Sequence, residues 1–231
     1  MQKQFAKKSL GQNFLNSTEI RDGILEAAGD LKDKNILEIG PGLGFLTEKL
    51  LEAGANLTAV EKDDRAYKIL TNEFPENKKF HLINGDFLEQ NLDELFEQKK
   101  YSAVANIPYN ITNPILRKLL CDTKNKPEFS ILMVQKEVAQ KICPVIEGKA
   151  KKKNKRSILS ISVEVFAEAE LLFLVDRENF TPVPRVDSAI MYIKTREKPL
   201  IDPELEKDFF TVVNAGFSRK RKKIGNVLPG Y

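Results

Sequence analysis

Apolar residues along this chain fall into short continuous runs separated by segments with helical spacing. Asn35–Ile39, Leu57–Val60, Phe80–Ile83, Ser102–Ala105 and Phe129–Val134 each hold four to six residues rich in Leu, Ile, Val and Ala. Runs of that length, with little internal polarity, predict strands buried on both faces. Between them the period changes. Ile20, Ile24, Leu25 and Ala28 recur at helical spacing after Ser17, a capping residue, and before Gly29, a helix terminator. Helices are also predicted over residues 43–53, 63–72, 112–120 and 135–142. Residues 157–166 fit either period. The helix is preferred, because Ala169–Val175 then supplies the next strand, followed by a last strand at Ser188–Lys194 and a helix over residues 203–217. Strands alternating with helices predict an α/β fold with a parallel sheet.

Composition narrows the class. A chain of 231 residues with 42% hydrophobic content suits one large domain, or one plus a small appendage. No apolar run reaches the roughly 18 residues of a membrane span, and Met1–Phe5 lacks a signal-peptide core. Cys121 and Cys143 have no metal-site spacing and read as reduced thiols of a cytoplasmic protein. No metal is expected. The lone His81 lies in a strand-like run and reads as a core or edge residue.

Charge is unevenly placed. Lys149–Arg156 (KAKKKNKR) carries six positive charges and Arg219–Lys223 (RKRKK) five, so the remainder of a chain with net charge +4 stands at −7. Concentrated basic runs on an acidic chain point to a nucleic acid or a membrane surface, bound through phosphate neutralisation and counterion release. Lys151, Lys152, Lys153, Arg156, Arg185, Arg219, Lys220 and Arg221 are the candidate contacts to such a partner.

The chemistry sits at strand ends. Glu38-Ile-Gly-Pro-Gly-Leu-Gly follows the first strand of the sheet, and Gly40, Gly42 and Gly44 let the backbone approach a ligand closely. The spacing is G-x-G-x-G, with Phe45 where a dinucleotide fold carries its third glycine, which argues against a pyrophosphate. Glu61 ends the next strand, where a carboxylate meets the hydroxyls of a ribose, and Asp86 follows the third, placed to accept from an adenine amino group. A nucleoside without phosphates fits these positions, and S-adenosylmethionine is the expected cofactor.

Asn106-Ile-Pro-Tyr109 ends the fourth strand. The exocyclic amine of adenine is a weak nucleophile, because its lone pair is delocalised into the ring. A carboxamide oxygen on Asn106 and a backbone carbonyl of the turn, both accepting from that amine, would localise the lone pair toward a methyl group. Pro108 fixes the turn, and Tyr109 offers a face for an extruded base, worth about 1–3 kcal/mol. Asn179–Ser188 is a proline-braced loop in which Phe180 could stack from the other side.

Together these motifs resemble the ribosomal RNA adenine N6-dimethyltransferases, specifically the small-subunit branch, from about Lys8 to Leu228. Lys8–Leu15 (KSLGQNFL) is similar to the family's N-terminal signature, which implies cofactor contacts at Asn13 and Leu15; Gly40 matches a further binding position. The resemblance implies a Rossmann-like class I methyltransferase sheet, mostly parallel with the last strand antiparallel, over residues 1–196. A small helical domain, truncated or abbreviated in this chain, would begin at residue 197. It implies two successive methyl transfers to each of two adjacent adenines in the 3′ hairpin loop of small-subunit rRNA, with the immature 30S subunit as partner and the enzyme as a monomer. Two features depart from the family pattern: the lysine tract at 149–156, expected as a loop, and the end of the chain at Tyr231. The alternatives are a large-subunit rRNA methyltransferase of the macrolide-resistance type, which shares Q-N-F-L and N-I-P-Y, and a non-catalytic RNA-binding assembly factor.

Overall fold

The computed structural model describes residues 6–7, 11–75, 77–143, 145–147, 150–152 and 156–218. Strands β1 (Phe14–Leu15), β2 (Asn35–Ile39), β3 (Asn56–Glu61), β4 (Phe80–Asn84), β5 (Ser102–Asn106) and β6 (Phe129–Gln135) alternate with helices α1 (Thr18–Ala28), α2 (Thr47–Glu52), α3 (Asp64–Glu73), α4 (Leu92–Leu95) and α5 (Thr112–Leu120). Helix α6 (Lys136–Ile142), a hairpin of β7 (Val145–Glu147) and β8 (Ala150–Lys152), and α7 (Ile158–Phe166) come next. Then follow β9 (Ala167–Val175), β10 (Phe180–Thr181), β11 (Ser188–Thr195) and α8 (Glu206–Ser218).

Among the described residues, seven strands form one sheet in the order β4-β3-β2-β5-β6-β11-β9. Pairings from β4 through β6 are parallel; β11 runs antiparallel to both β6 and β9. Side chains alternate between two cores, one on each face, as the period of two requires. Leu37, Ala103, Ala105, Leu132 and Val134 enter one core, covered by Ile115, Leu116 and Leu119 of α5 and Val163 and Phe166 of α7. Ile36, Val104, Ile131 and Met133 enter the other, covered by Ile24 and Ala28 of α1 and Leu50 of α2. Central strands are therefore apolar on both faces, which is why they read as continuous runs.

The connectivity fixes where a ligand can bind. From β2 the chain winds outward through β3 to β4, then returns to place β5 on the other side of β2. The carboxyl ends of β2 and β5 flank the point where strand order reverses, the position at which open α/β sheets leave a crevice.

Two sequence expectations change in detail. The helix expected over 43–53 begins only at Thr47, because Gly40, Gly42 and Gly44 adopt φ of 67°, 60° and 81° and Gly44 donates to the Pro41 carbonyl at 3.0 Å, holding a turn in place of the first helical turn. The lysine tract is not wholly loop: Ile146 pairs with Lys151 in the β7–β8 hairpin. Residues 157–166 are helical as preferred, with Ser157 and Ser160 forming a reciprocal capping box. His81 is exposed on edge strand β4. Helix α8 packs back on α7, with the Phe166 and Phe210 rings stacked at 6.0 Å.

Candidate active site

A cleft opens at the carboxyl ends of β2, β3 and β5. The glycine turn, Glu61, Asp86 and the Asn106–Ile111 segment line it, and Gly11–Leu15 forms its wall. Gly40 faces open space, with nothing within 4 Å of where a Cβ would stand. A Cβ on Gly42 would lie 3.1 Å from the Phe14 ring, so its φ of 60° and the close N-terminal segment both require glycine.

Two carboxylates meet this turn. Glu61, 5% exposed, accepts from the Gly42 N–H at 2.9 Å through Oε2 and from the Asp63 N–H at 2.7 Å through Oε1. Burial raises its pKa, opposed by those two amides. Each carboxylate oxygen keeps acceptor capacity beyond its amide, as a ribose diol needs. Glu38, 2% exposed, accepts from Thr47 Oγ1 at 2.8 Å. Burial pushes its carboxyl up to about 8, with the nearby Glu61 charge adding to the rise and the Thr47 bond opposing it. The motif alone assigns Glu38 no role; its signal in the sequence is an acid inside an otherwise apolar strand.

Asp86 caps the short turn after β4. Its Oδ1 accepts from the Leu88 N–H at 2.9 Å and its Oδ2 from Lys62 Nζ at 2.6 Å. Burial would raise its pKa, and these two donors outweigh burial to leave it lowered. Asp86 is thus anionic and fixed beside Phe87 and Leu88, which line the same cleft.

Asp63 is a second residue that sequence reasoning passed over. Its buried carboxylate takes hydrogen bonds from Arg65 Nη2 at 2.6 Å, Gln12 Nε2 at 3.1 Å and Lys7 Nζ at 3.4 Å. The Arg65 bond, ahead of opposing burial, holds it well below the usual carboxylate range. Asp63 thereby ties the N-terminal segment to the tip of β3. The far end of that segment pairs with β10, Leu15 opposite Phe180, and Asn16 Nδ2 donates to Thr181 Oγ1 at 2.6 Å.

This strap orients Asn106. The amide Nδ2 of Asn106 donates to the backbone carbonyl of Asn13 at 3.1 Å. A carbonyl only accepts, so nitrogen must face the strap and Oδ1 is turned to the other side. The Asn13 side chain donates to the Gly11 carbonyl at 3.2 Å, inside the strap, and Leu15 lines the cleft. Beyond Asn106, the Ile107 N–H donates to Met133 O and the Pro108 carbonyl accepts from the Ile111 N–H, both at 3.1 Å. Tyr109 lines the cleft with its hydroxyl 2.7 Å from Ser188 Oγ.

Other expected positions lie elsewhere. Phe180 is 1% exposed and packs in the α1–α2 core, outside the cleft lining, so in this conformation it is a core side chain and not a stacking platform. Arg156 pairs with Glu164 of α7, one contact at 3.2 Å and one shorter, and is not a free cation. Arg185 is exposed in the loop before β11, and Lys151 and Lys152 lie on β8. Lys153, Arg219, Lys220 and Arg221 fall outside the described residues. Among the described residues there is no cluster of three His, Cys, Asp or Glu able to hold a metal, and no helix long and apolar enough to cross a membrane.

Comparison with known proteins agrees with this geometry. The chain is 39% identical over 229 residues to ribosomal RNA small subunit methyltransferase A of Listeria welshimeri, covering 96% of this chain and 75% of that one. It is 40% identical over 230 residues to the protein of the same name from Streptococcus sanguinis, covering 97% and 77%. Among solved structures, a dimethyladenosine transferase from Plasmodium falciparum superposes with a TM-score of 0.76 at 27% identity, covering 93% of this chain and 74% of that one. The 23S rRNA methyltransferase ErmE superposes with a TM-score of 0.74 at 29% identity, covering 93% and 83%. The family model described as ribosomal RNA adenine dimethylase matches residues 3–230, and with relatives this close over nearly its whole length the chain belongs to that family.

Proposed function

We propose that this enzyme dimethylates N6 of two adjacent adenosines in the 3′-terminal hairpin loop of small-subunit rRNA, within the immature 30S subunit. The reading rests above all on Asn106, whose amide nitrogen is spent on Asn13 O and whose oxygen is thereby free to accept from an adenine amine. The relatives at 39–40% identity are named for the small subunit, which favours the small-subunit substrate.

The methyl donor is S-adenosylmethionine, which supplies an electrophilic methyl on a sulfonium. The cleft suits it: Gly40 and Gly42 admit the ligand to the backbone, Glu61 can take the ribose hydroxyls and Asp86 the adenine amine. Leu15 and Asn13 would close over it from the strap.

Asn106 Oδ1 and one carbonyl of the turn accept the two amine hydrogens of the target base. Drawing both hydrogens out of the ring plane localises the nitrogen lone pair. No strong base is required, since the amine becomes acidic only as the methyl arrives. The Tyr109 face supports the extruded base. Catalysis is then chiefly alignment of amine, methyl and sulfur. Lys151, Lys152, Lys153, Arg185, Arg219, Lys220 and Arg221 supply phosphate contacts. The enzyme acts as a cytoplasmic monomer. The methyltransferase domain spans residues 1–196 and a small helical unit begins at residue 197, with α8 as its first helix.

The test is transfer from labelled cofactor to undermethylated small subunits, with digestion and identification of the nucleoside. Label in N6-dimethyladenosine of the small-subunit RNA is expected. Label confined to large subunits would replace this substrate with the other.

A further inference from the structure

Ser188 does not line the cleft, yet its hydroxyl reaches a residue that does. Its side chain is fully buried at the start of β11, opposite Gln135 of β6 and Val175 of β9. The adjoining Asp187 is itself anchored: its carbonyl accepts from the Lys136 N–H at 3.0 Å and its Oδ2 lies 3.6 Å from Lys136 Nζ. Ser188 is therefore a fixed point set in three paired strands. Tyr109 is not so placed. It opens a single turn of 3₁₀ helix, Tyr109–Ile111, held locally by Ile111 N–H to Pro108 O at 3.1 Å and by Thr112 Oγ1 to Tyr109 O at 3.4 Å. Neither bond fixes the side chain. Its orientation is set from across the fold, by the 2.7 Å hydrogen bond between its hydroxyl and Ser188 Oγ, 79 residues away in sequence.

The geometry points to Ser188 as a positioning residue that locks the Tyr109 ring at one angle to the cleft, so that its face is ready for the target base before the base arrives. A ring held at both ends, by its backbone turn and by its hydroxyl, loses no rotamer freedom when the base stacks on it. The phenol is suited to this, because burial raises its pKa and keeps the hydroxyl protonated. Ser188 touches neither cofactor nor substrate; its effect passes through Tyr109.

The inference rests on the stacking role proposed for Tyr109, and a double-mutant cycle separates the two. Ser188→Ala, Tyr109→Phe and the double variant are compared for kcat and KM with undermethylated small subunits, and for cofactor affinity by calorimetry. Each single variant should lose about fivefold to tenfold in kcat/KM, the scale of one hydrogen bond, with cofactor affinity unchanged. The double variant should lose no more than the worse single. Tyr109→Phe removes the same bond without disturbing the buried serine site, so a folding defect in Ser188→Ala does not shelter the proposal. Wild-type kcat/KM in Ser188→Ala, or losses that multiply in the double variant, would overturn it. Tyr109→Ala tells the two readings apart. Wild-type turnover there removes the stacking role itself, whereas a large loss there beside an active Ser188→Ala removes only the assignment to Ser188.

Discussion

Glu38 and Glu61 approach the same glycine turn from adjacent strands, and they differ in what neutralises them. Glu61 is met by two backbone amides, Glu38 by one threonine hydroxyl. The folded Glu38 carboxyl titrates at about 8 against an ordinary value of 4.5, so between those limits the folded chain holds a proton that the unfolded chain has released. Stability from this group is full below 4.5 and falls as pH rises through about 8. Glu38→Gln keeps the acceptor for Thr47 and removes the titration. The ligand-free variant should melt a few degrees above wild type near about pH 9 and match it near about pH 5, by calorimetry at both; an equal gap at the two values would contradict a buried, proton-holding Glu38. At this scale the sequence was legible where strand ends determine position, as for Glu61, Asp86 and Asn106. It was less so where a side chain's partner comes from elsewhere in the chain. Phe180, read as a possible platform, is instead drawn into the core by its pairing with Leu15, and Arg156 is claimed by Glu164.

Among the elements, the N-terminal strap ties β3, β5 and β10 together at the cleft. Two residues of β1, the Gln12–Asp63 bond and the Asn13–Asn106 bond hold it across the cleft. Gln12→Ala removes one tie at the Asp63 end while leaving the paired carboxylate with Arg65. We expect cofactor affinity to fall about threefold to tenfold, the scale of one hydrogen bond, with little change in melting temperature; calorimetric titration measures the first and thermal unfolding the second. Unchanged affinity would mean the strap closes without this tie. Strands and long helices were legible because their periods are set by burial on two sheet faces. The start of α2 was not, since apolar Leu43, Phe45 and Leu46 mimic a helical face while three glycines with positive φ hold a turn. The strap's pairing with β10 joins residues about 165 positions apart and leaves no local pattern to read.

Across the molecule, charge is divided between an acidic remainder of −7 and two basic runs. Such a division favours approach of RNA at particular places on the surface. Replacing Arg219, Lys220 and Arg221 with neutral residues should weaken binding to small-subunit RNA and flatten the plot of log affinity against log salt by about 0.7–0.9 for each phosphate no longer neutralised. An unchanged slope would return that run to the solvated surface. The sheet order, with its reversal between β2 and β5, sets the remaining geometry: the glycine turn follows β2, Glu61 ends β3, and Asn106 and its turn follow β5, all lining one cleft.

The central claim, that the Asn106 carboxamide prepares the amine for methyl transfer, is tested most directly by single-turnover methylation with Asn106→Ala under saturating cofactor and RNA, beside equilibrium binding of both. The account predicts affinities within a few-fold of wild type and a methylation rate reduced by about 10²–10³, as expected when a preorganised polar group that acts in the transition state is removed. A rate within a few-fold of wild type would contradict it.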